Sequence, residues 1–311
     1  MKMLLTMLCA LLATTGVHAE SRTWQPTAGH TQMPIWPDAA PDAQPVPGPE
    51  KMTVSTDLIA GLPVTAVTNV TRPTMTVYAP KGTNSGAAVV VLPGGGFEIL
   101  AIDLEGTEAC DWLTANGITC VLLKYRVPGP PYDWRCDCRP HNYMVPTMAL
   151  EDTQRTIGLV RHHATEWHID PHRIGVMGFS AGGFLVAEAS TRYKQRLYKP
   201  VDAADKESIR PDFAMAIYPG HLAVNGKLNP NVPVTRETPP TFVLQAEDDH
   251  VDGVEEALVY YTALAQAGAP AEMHLYAHGG HAFGLRHTQL PITGWPELMK
   301  AWLKTIGVLS K

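Results

Sequence analysis

A serine with glycines two positions to either side, Gly178-Phe179-Ser180-Ala181-Gly182, has the spacing that turns an alcohol into a nucleophile. The apolar run 174–177 precedes it and the helix-compatible run 183–188 follows, so the serine sits on a strand–turn–helix corner. Such a corner strains the serine backbone and crowds its neighbours, which is why glycine is needed on both sides. It also raises the hydroxyl at a helix N-terminus, where aligned amide dipoles favour developing negative charge. A purely structural turn could carry the same five residues; the strand and helix around them argue for Ser180 as a nucleophile.

A nucleophilic serine needs three kinds of partner. The first is a set of donors for the oxyanion of the tetrahedral intermediate. Pro93-Gly94-Gly95-Gly96-Phe97 directly follows the apolar run 87–92, and a glycine-rich loop lets backbone N–H groups face a site without side chains in the way. Gly95 and Gly96, with the amide of Ala181, are the expected oxyanion hole. A phosphate loop is the competing reading, but the segment has neither G-x-G-x-x-G spacing nor a Walker lysine. The second partner is a base. His281, in Gly279-Gly280-His281-Ala282-Phe283-Gly284, lies after the strand-like run 272–276 on a glycine-flanked loop and comes last in the order Ser, Asp, His. His278 is nearer the strand end and lacks that setting. The third is an acid that fixes the imidazole tautomer. Glu247-Asp248-Asp249-His250-Val251-Asp252 follows the apolar run 242–246, and the pattern leaves Asp248 and Asp249 as alternatives.

The elements that must position these loops alternate between strand and helix periodicity from about residue 72. Strands are expected over 74–78, 87–92, 119–124, 173–178, 213–218, 241–246 and 272–276. Helices are expected over 104–115, 148–167, 182–193, 254–267 and 295–306. This alternation implies an α/β fold with a mostly parallel central sheet flanked by helices on both faces, its chemistry in the loops beyond the strands' carboxyl ends. Ahead of it, seven prolines between residues 26 and 49 (Pro26, Pro34, Pro37, Pro41, Pro45, Pro47, Pro49) rule out helix and give an extended arm over about 20–50. Residues 20–311 read as one domain. The proline-rich, aromatic segment 128–146, with Tyr132, Trp134, His141 and Tyr143, reads either as a wall or lid over the site or as a surface loop pinned by Cys136 or Cys138.

The chain has 311 residues, 45% hydrophobic, and a formal net charge of -6 spread along its length, so no basic run exists to meet nucleic acid. Lys2, the apolar stretch 3–13 and Val17-His18-Ala19 have the layout of a secretory signal cleaved after Ala19, with Cys9 outside a lipidation context. A secreted or periplasmic location without a membrane anchor is therefore expected. Removal of that segment leaves Cys110, Cys120, Cys136 and Cys138. In an oxidising compartment they favour disulfides, with Cys136 and Cys138 pairing to Cys110 and Cys120 rather than to each other. His162, His163 and His168 lack the i,i+4 spacing of a helical zinc pair, and neither metal nor cofactor is implied.

The motifs together resemble the secreted bacterial α/β-hydrolases grouped with acetylxylan and feruloyl-type esterases, the BD-FAE-like carbohydrate esterases. The resemblance runs from Trp36-Pro37 to the C-terminal helix. It is carried by residues 92–97, by Leu123-Lys124-Tyr125-Arg126-Val127-Pro128, by residues 178–183 and by His274-Leu275-Tyr276 leading to His281. It implies the α/β-hydrolase fold and an oxyanion loop that often begins with proline. Members read D-D-P-V-V-P-V-E-N-S after the acid strand with the second aspartate catalytic, which here implies Asp249; this chain departs at Asp252 and Gly253. It further implies an exported serine carboxylesterase that removes short acyl groups such as acetyl from carbohydrate, with a small-molecule or polysaccharide ester as partner. A general short-chain esterase or lipase, a peptidase related to prolyl oligopeptidases and a non-catalytic binding protein on the same scaffold are the alternatives. The residues ahead of 72 hold no counterpart of the peptidases' propeller, and a binding protein has no need of Ser180, Asp249 and His281 together.

Overall fold

The computed structural model describes residues 23–129 and 147–310. Its strands are β1 (Met33–Pro34), β2 (Lys51–Val54), β3 (Thr65–Thr68), β4 (Thr74–Tyr78), β5 (Ala88–Leu92), β6 (Leu100–Ala101), β7 (Thr119–Lys124), β8 (Ile174–Phe179), β9 (Phe213–Ile217), β10 (Ala223–Val224), β11 (Lys227–Leu228), β12 (Thr241–Ala246) and β13 (Ala271–Tyr276). Its α-helices are α1 (Glu108–Ala115), α2 (Thr147–His162), α3 (Ala181–Thr191), α4 (Val254–Ala267) and α5 (Trp295–Thr305). The eight-stranded main sheet has the order β1-β4-β7-β5-β8-β9-β12-β13. From β7 to β13 every pair is parallel, while β1 and β4 join antiparallel at one edge. This is the mostly parallel sheet expected of the alternation.

Residues buried on both sides of a sheet must be apolar without interruption. Ala-Val-Val-Val-Leu in β5 and Phe-Ala-Met-Ala-Ile in β9 are wholly buried, as that requires. The chain steps one way from β5 through α1 to β7, and the other way through α2 to β8 and α3 to β9. Right-handed crossovers therefore place α1 on one face and α2 and α3 on the other. The helix expected at 104–115 begins with a wider π-turn at Asp103–Thr107 before α1. A second sheet, β2-β3-β6, and a hairpin, β10-β11, were not expected from the pattern.

The proline-rich arm is anchored, with Trp24, Ile35 and Trp36 in the core. The anchor is polar as well as apolar. The Arg126 guanidinium, 1% exposed, donates to both Asp152 carboxylate oxygens, to Glu151 Oε2 and to the carbonyls of Met148 and Pro41. Trp36 Nε1 donates to the same Asp152 at 2.8 Å. Arg155 Nε reaches Ile35 O at 2.8 Å. Arm, β7 end and α2 thus share one buried charge cluster. Removing one partner leaves an uncompensated buried charge, so Asp152→Ala is expected to destabilise the fold by about 3–5 kcal/mol, checked by urea unfolding; a loss under 1 kcal/mol would show the cluster to be dispensable.

The cysteine pairing expected from the sequence needs correction. Cys110 in α1 bonds Cys120 in β7, not Cys136 or Cys138. The turn through Gly117 folds β7 back beside α1 and brings the two Cα atoms to 5.2 Å, within the ordinary range for a disulfide. Cys136, Cys138 and residues 130–146 of the segment 128–146, expected to be either a lid or a surface loop, lie outside the described residues, as do Cys9 and the expected signal segment.

Candidate active site

Ser180 links β8 to α3 with φ 52° and ψ -119°, a region that side-chain-bearing residues rarely occupy. The glycines explain how the turn closes. A Cβ at Gly178 would stand 2.1 Å from Gly182 O, and one at Gly182 would stand 2.0 Å from Leu92 O, so any larger residue blocks the corner. Ser180 is 7% exposed and opens the N-terminus of α3.

His281 Nε2 lies 3.0 Å from Ser180 Oγ, and its Nδ1 lies 2.7 Å from Asp249 Oδ2. The structure thus gathers Ser180, His281 and Asp249 from the ends of β8, β13 and β12 into one hydrogen-bonded chain. The neighbouring aspartate has a different task. Asp248 accepts the amides of Gly279 and Gly280 at 2.9 and 2.8 Å and pairs with the exposed His278 at 3.2 Å. Asp248 holds the histidine loop; Asp249 meets the imidazole. The other oxygen of Asp249 accepts the amides of Val251 and Asp252, which fixes the carboxylate on its own turn.

Gly95 and Gly96 line the same cavity as Ser180 and His281, and Ala181 follows the serine at the start of α3. Gly95 has φ 130°, and a Cβ there would stand 2.4 Å from Ile99 O, so only glycine lets the loop turn back on itself.

Three groups that were not read from the sequence as part of the site complete it. Glu105, from the π-turn, is 2% exposed and accepts Gly94 N at 2.7 Å and Tyr218 OH at 2.8 Å. Gly284 N in turn donates to Tyr218 OH at 3.2 Å. Glycine loop and histidine loop are thereby clamped to one carboxylate. Asp252, 2% exposed, brings Oδ2 within 3.2 Å of Ser180 Oγ and 3.8 Å of His281 Nε2. The serine proton therefore has two acceptors in reach. Burial pushes Glu105 up from the ordinary carboxylate value. Burial also works against the His281 imidazolium, but the Asp249 hydrogen bond and the charges of Asp249, Asp252 and Glu105 outweigh it and hold the histidine above its ordinary value. Asp252 was visible in the sequence as a departure from the family pattern; Glu105 and Tyr218 carried no signal beyond a polar group among apolar neighbours.

The cavity above the serine has a volume of about 470 Å³. Its wall is mostly apolar, with Val54 of β2, Ala66 of β3, Ile59 and Val64 of the loop between them, and Ile99 and Leu104 between the glycine loop and α1. Val54 and Val251 at its mouth are 57% and 64% exposed. Among the described residues no cluster of His, Cys, Asp and Glu is arranged to hold a metal ion.

Residues 75–218 match the BD-FAE family model. The chain is 29% identical over 262 residues to an acetylxylan esterase of Xylanibacter ruminicola, covering 75% of this chain and 48% of that protein. It is 24% identical over 229 residues to endo-1,4-beta-xylanase B of Butyrivibrio fibrisolvens, covering 67% of this chain and 34% of that one. The chain thus spans half or less of the length of these curated relatives. Among solved structures, an acetyl ester-xyloside bifunctional hydrolase from Caldicellulosiruptor lactoaceticus superposes with a TM-score of 0.69 at 28% identity, over 90% of this chain and 97% of that one. The Thermogutta terrifontis esterase 2, with propionate bound, shares the fold at a TM-score of 0.63 and 19% identity, over 84% of this chain and 96% of the other. The chain has the α/β-hydrolase fold, and the BD-FAE model matches it over residues 75–218.

Proposed function

We propose that this protein is an exported serine carboxylesterase that removes short acyl groups, acetyl above all, from carbohydrate such as xylan. The observation that carries the reading is the chain from Asp249 through His281 to Ser180, at the floor of a cavity lined by Gly95 and Gly96. In the proposed reaction, His281 Nε2 takes the Ser180 proton as Oγ attacks the ester carbonyl. The oxyanion is received by the amides of Gly95, Gly96 and Ala181. His281 then returns the proton to the leaving alcohol, and water releases the acyl group by the same steps in reverse order. Asp249 keeps Nδ1 protonated and faces the imidazolium with opposite charge. The carbohydrate assignment takes its support from the acetylxylan esterase and the acetyl ester-xyloside hydrolase among the similar proteins. Export takes its support from the N-terminal layout and from the Cys110–Cys120 bond, which fits an oxidising compartment.

The test is a series of 4-nitrophenyl esters of increasing chain length run beside acetylated xylan. Turnover falling steeply beyond acetyl, with acetate released from the polymer, is the expected result. Preference for longer chains with the polymer untouched would replace the carbohydrate reading with a general esterase, a reading the apolar wall of Val54, Ile59 and Val64 makes specific. The charges around His281 set a pH expectation. A base is active only when deprotonated, and this one is held above the ordinary histidine value of about 6.5. Therefore kcat/KM is expected to climb with pH through a midpoint above that value. Glu105→Gln removes one of the charges favouring the imidazolium and should move the midpoint to lower pH; a midpoint that stays or rises in the variant would contradict this electrostatic account.

A further inference from the structure

On the reading of Ser180 as an acylated nucleophile, we propose that Asp252 is a catalytic residue of the second half-reaction, in which its carboxylate orients the water that hydrolyses the acyl-enzyme. In the resting site the serine hydroxyl lies 3.0 Å from His281 Nε2 and 3.2 Å from Asp252 Oδ2. Acylation of Oγ removes that hydrogen and leaves both acceptors facing an ester oxygen that cannot donate. The two acceptors are 3.8 Å apart, close enough for one water to donate one hydrogen to each with ordinary bond lengths of about 2.8 Å. A water held by both hydrogens presents its lone pairs away from them, toward the acyl carbon on the neighbouring oxygen.

The surroundings favour this role over others. Among the described residues two other carboxylates line the cavity: Glu105, whose oxygens accept Gly94 N and Tyr218 OH, and Asp57, on the loop between β2 and β3. Asp252 is held by its backbone: its amide donates to Asp249 Oδ1 at 3.0 Å, and its carbonyl accepts Gln245 Nε2 at 3.0 Å. Its carboxylate packs against Gly220, where an added Cβ would stand 2.4 Å from Oδ2. With only 2% exposure the carboxylate is out of reach of a sugar ring. In the step itself the water oxygen bonds to the acyl carbon while one water proton passes to His281 Nε2. The C–Oγ bond then breaks, the proton moves from Nε2 to Oγ, and the second water hydrogen leaves with the product acid. Asp252 stays ionised throughout.

Pre-steady-state hydrolysis of 4-nitrophenyl acetate separates the two halves. Asp252→Asn is expected to release one 4-nitrophenolate per chain at a rate within about threefold of the parent, then to turn over about 10- to 100-fold more slowly, a loss within the range of general acid–base effects. Acid-quenched samples should hold acetyl on Ser180. Asp252→Ala, which gives the same readout without an amide, covers the case in which the asparagine variant does not fold. A folded variant with no burst, with both phases slowed equally, or with parent kinetics would overturn the inference while leaving the Ser180 reading in place. Parent-like turnover in Ser180→Ala would overturn both.

Discussion

Ser180→Ala is expected to lower kcat for a 4-nitrophenyl ester by about 10⁶-fold while leaving the melting temperature and substrate affinity almost unchanged. The size of the effect follows from what the side chain does in the proposed mechanism. Without Oγ there is no covalent path, and water must attack an ester held only by the cavity and the oxyanion donors. Those donors remain, which is why hydrolysis should stay above the uncatalysed rate. The fold should tolerate the change because alanine at φ 52° meets the same backbone restriction as serine, and the close contacts of the corner belong to Gly178 and Gly182. Steady-state kinetics, with thermal unfolding of the same samples, reads both quantities. Retention of even a tenth of the parent rate in a folded variant would remove Ser180 from the proposed mechanism.

What the sequence disclosed depended on how far a residue's role is set by its neighbours along the chain. β4, β7, β12 and α4 have the bounds that periodicity suggests, because β7 and β12 are wholly buried runs while β4 and α4 set apolar against polar residues at the strand and helix periods. β6 has two residues and β2 four, with polar side chains alternating weakly, so the second sheet that walls the cavity left no comparable pattern. Ser180 announces itself because its turn imposes glycine at fixed offsets, and His281 follows its strand in the order the fold demands, whereas the pattern left Asp248 and Asp249 open and only the family resemblance pointed to Asp249. Glu105 and Tyr218 act on residues far along the chain, and a contact across 113 positions leaves no local trace. The cysteines failed for a related reason. Sequence gave the number of thiols, whereas pairing depended on the return of β7 beside α1, which only the tertiary course decides.

Asp249→Asn should cost about 10⁴-fold in kcat, and Asp248→Asn less than about tenfold, although the two residues are adjacent and chemically identical. Asparagine at 249 can accept a hydrogen bond from Nδ1 only through its carbonyl, and its amide end can turn to donate instead, which favours the tautomer with Nε2 protonated. That tautomer cannot take the Ser180 proton. The substitution also withdraws the charge that lies 2.7 Å from the imidazole and does most to favour its protonated form. Asp248 stands in a different relation to the reaction. It accepts Gly279 N and Gly280 N through a single oxygen, Oδ1, and an asparagine carbonyl can occupy that position with both bonds kept. The gap between the variants is therefore a measure of tautomer control as opposed to loop support. Equal losses in the two would mean that the histidine loop's backbone, not the Asp249 carboxylate, limits the reaction. A larger loss at Asp248 would move the acid one residue back along the chain, against the 2.7 Å contact between Asp249 and His281.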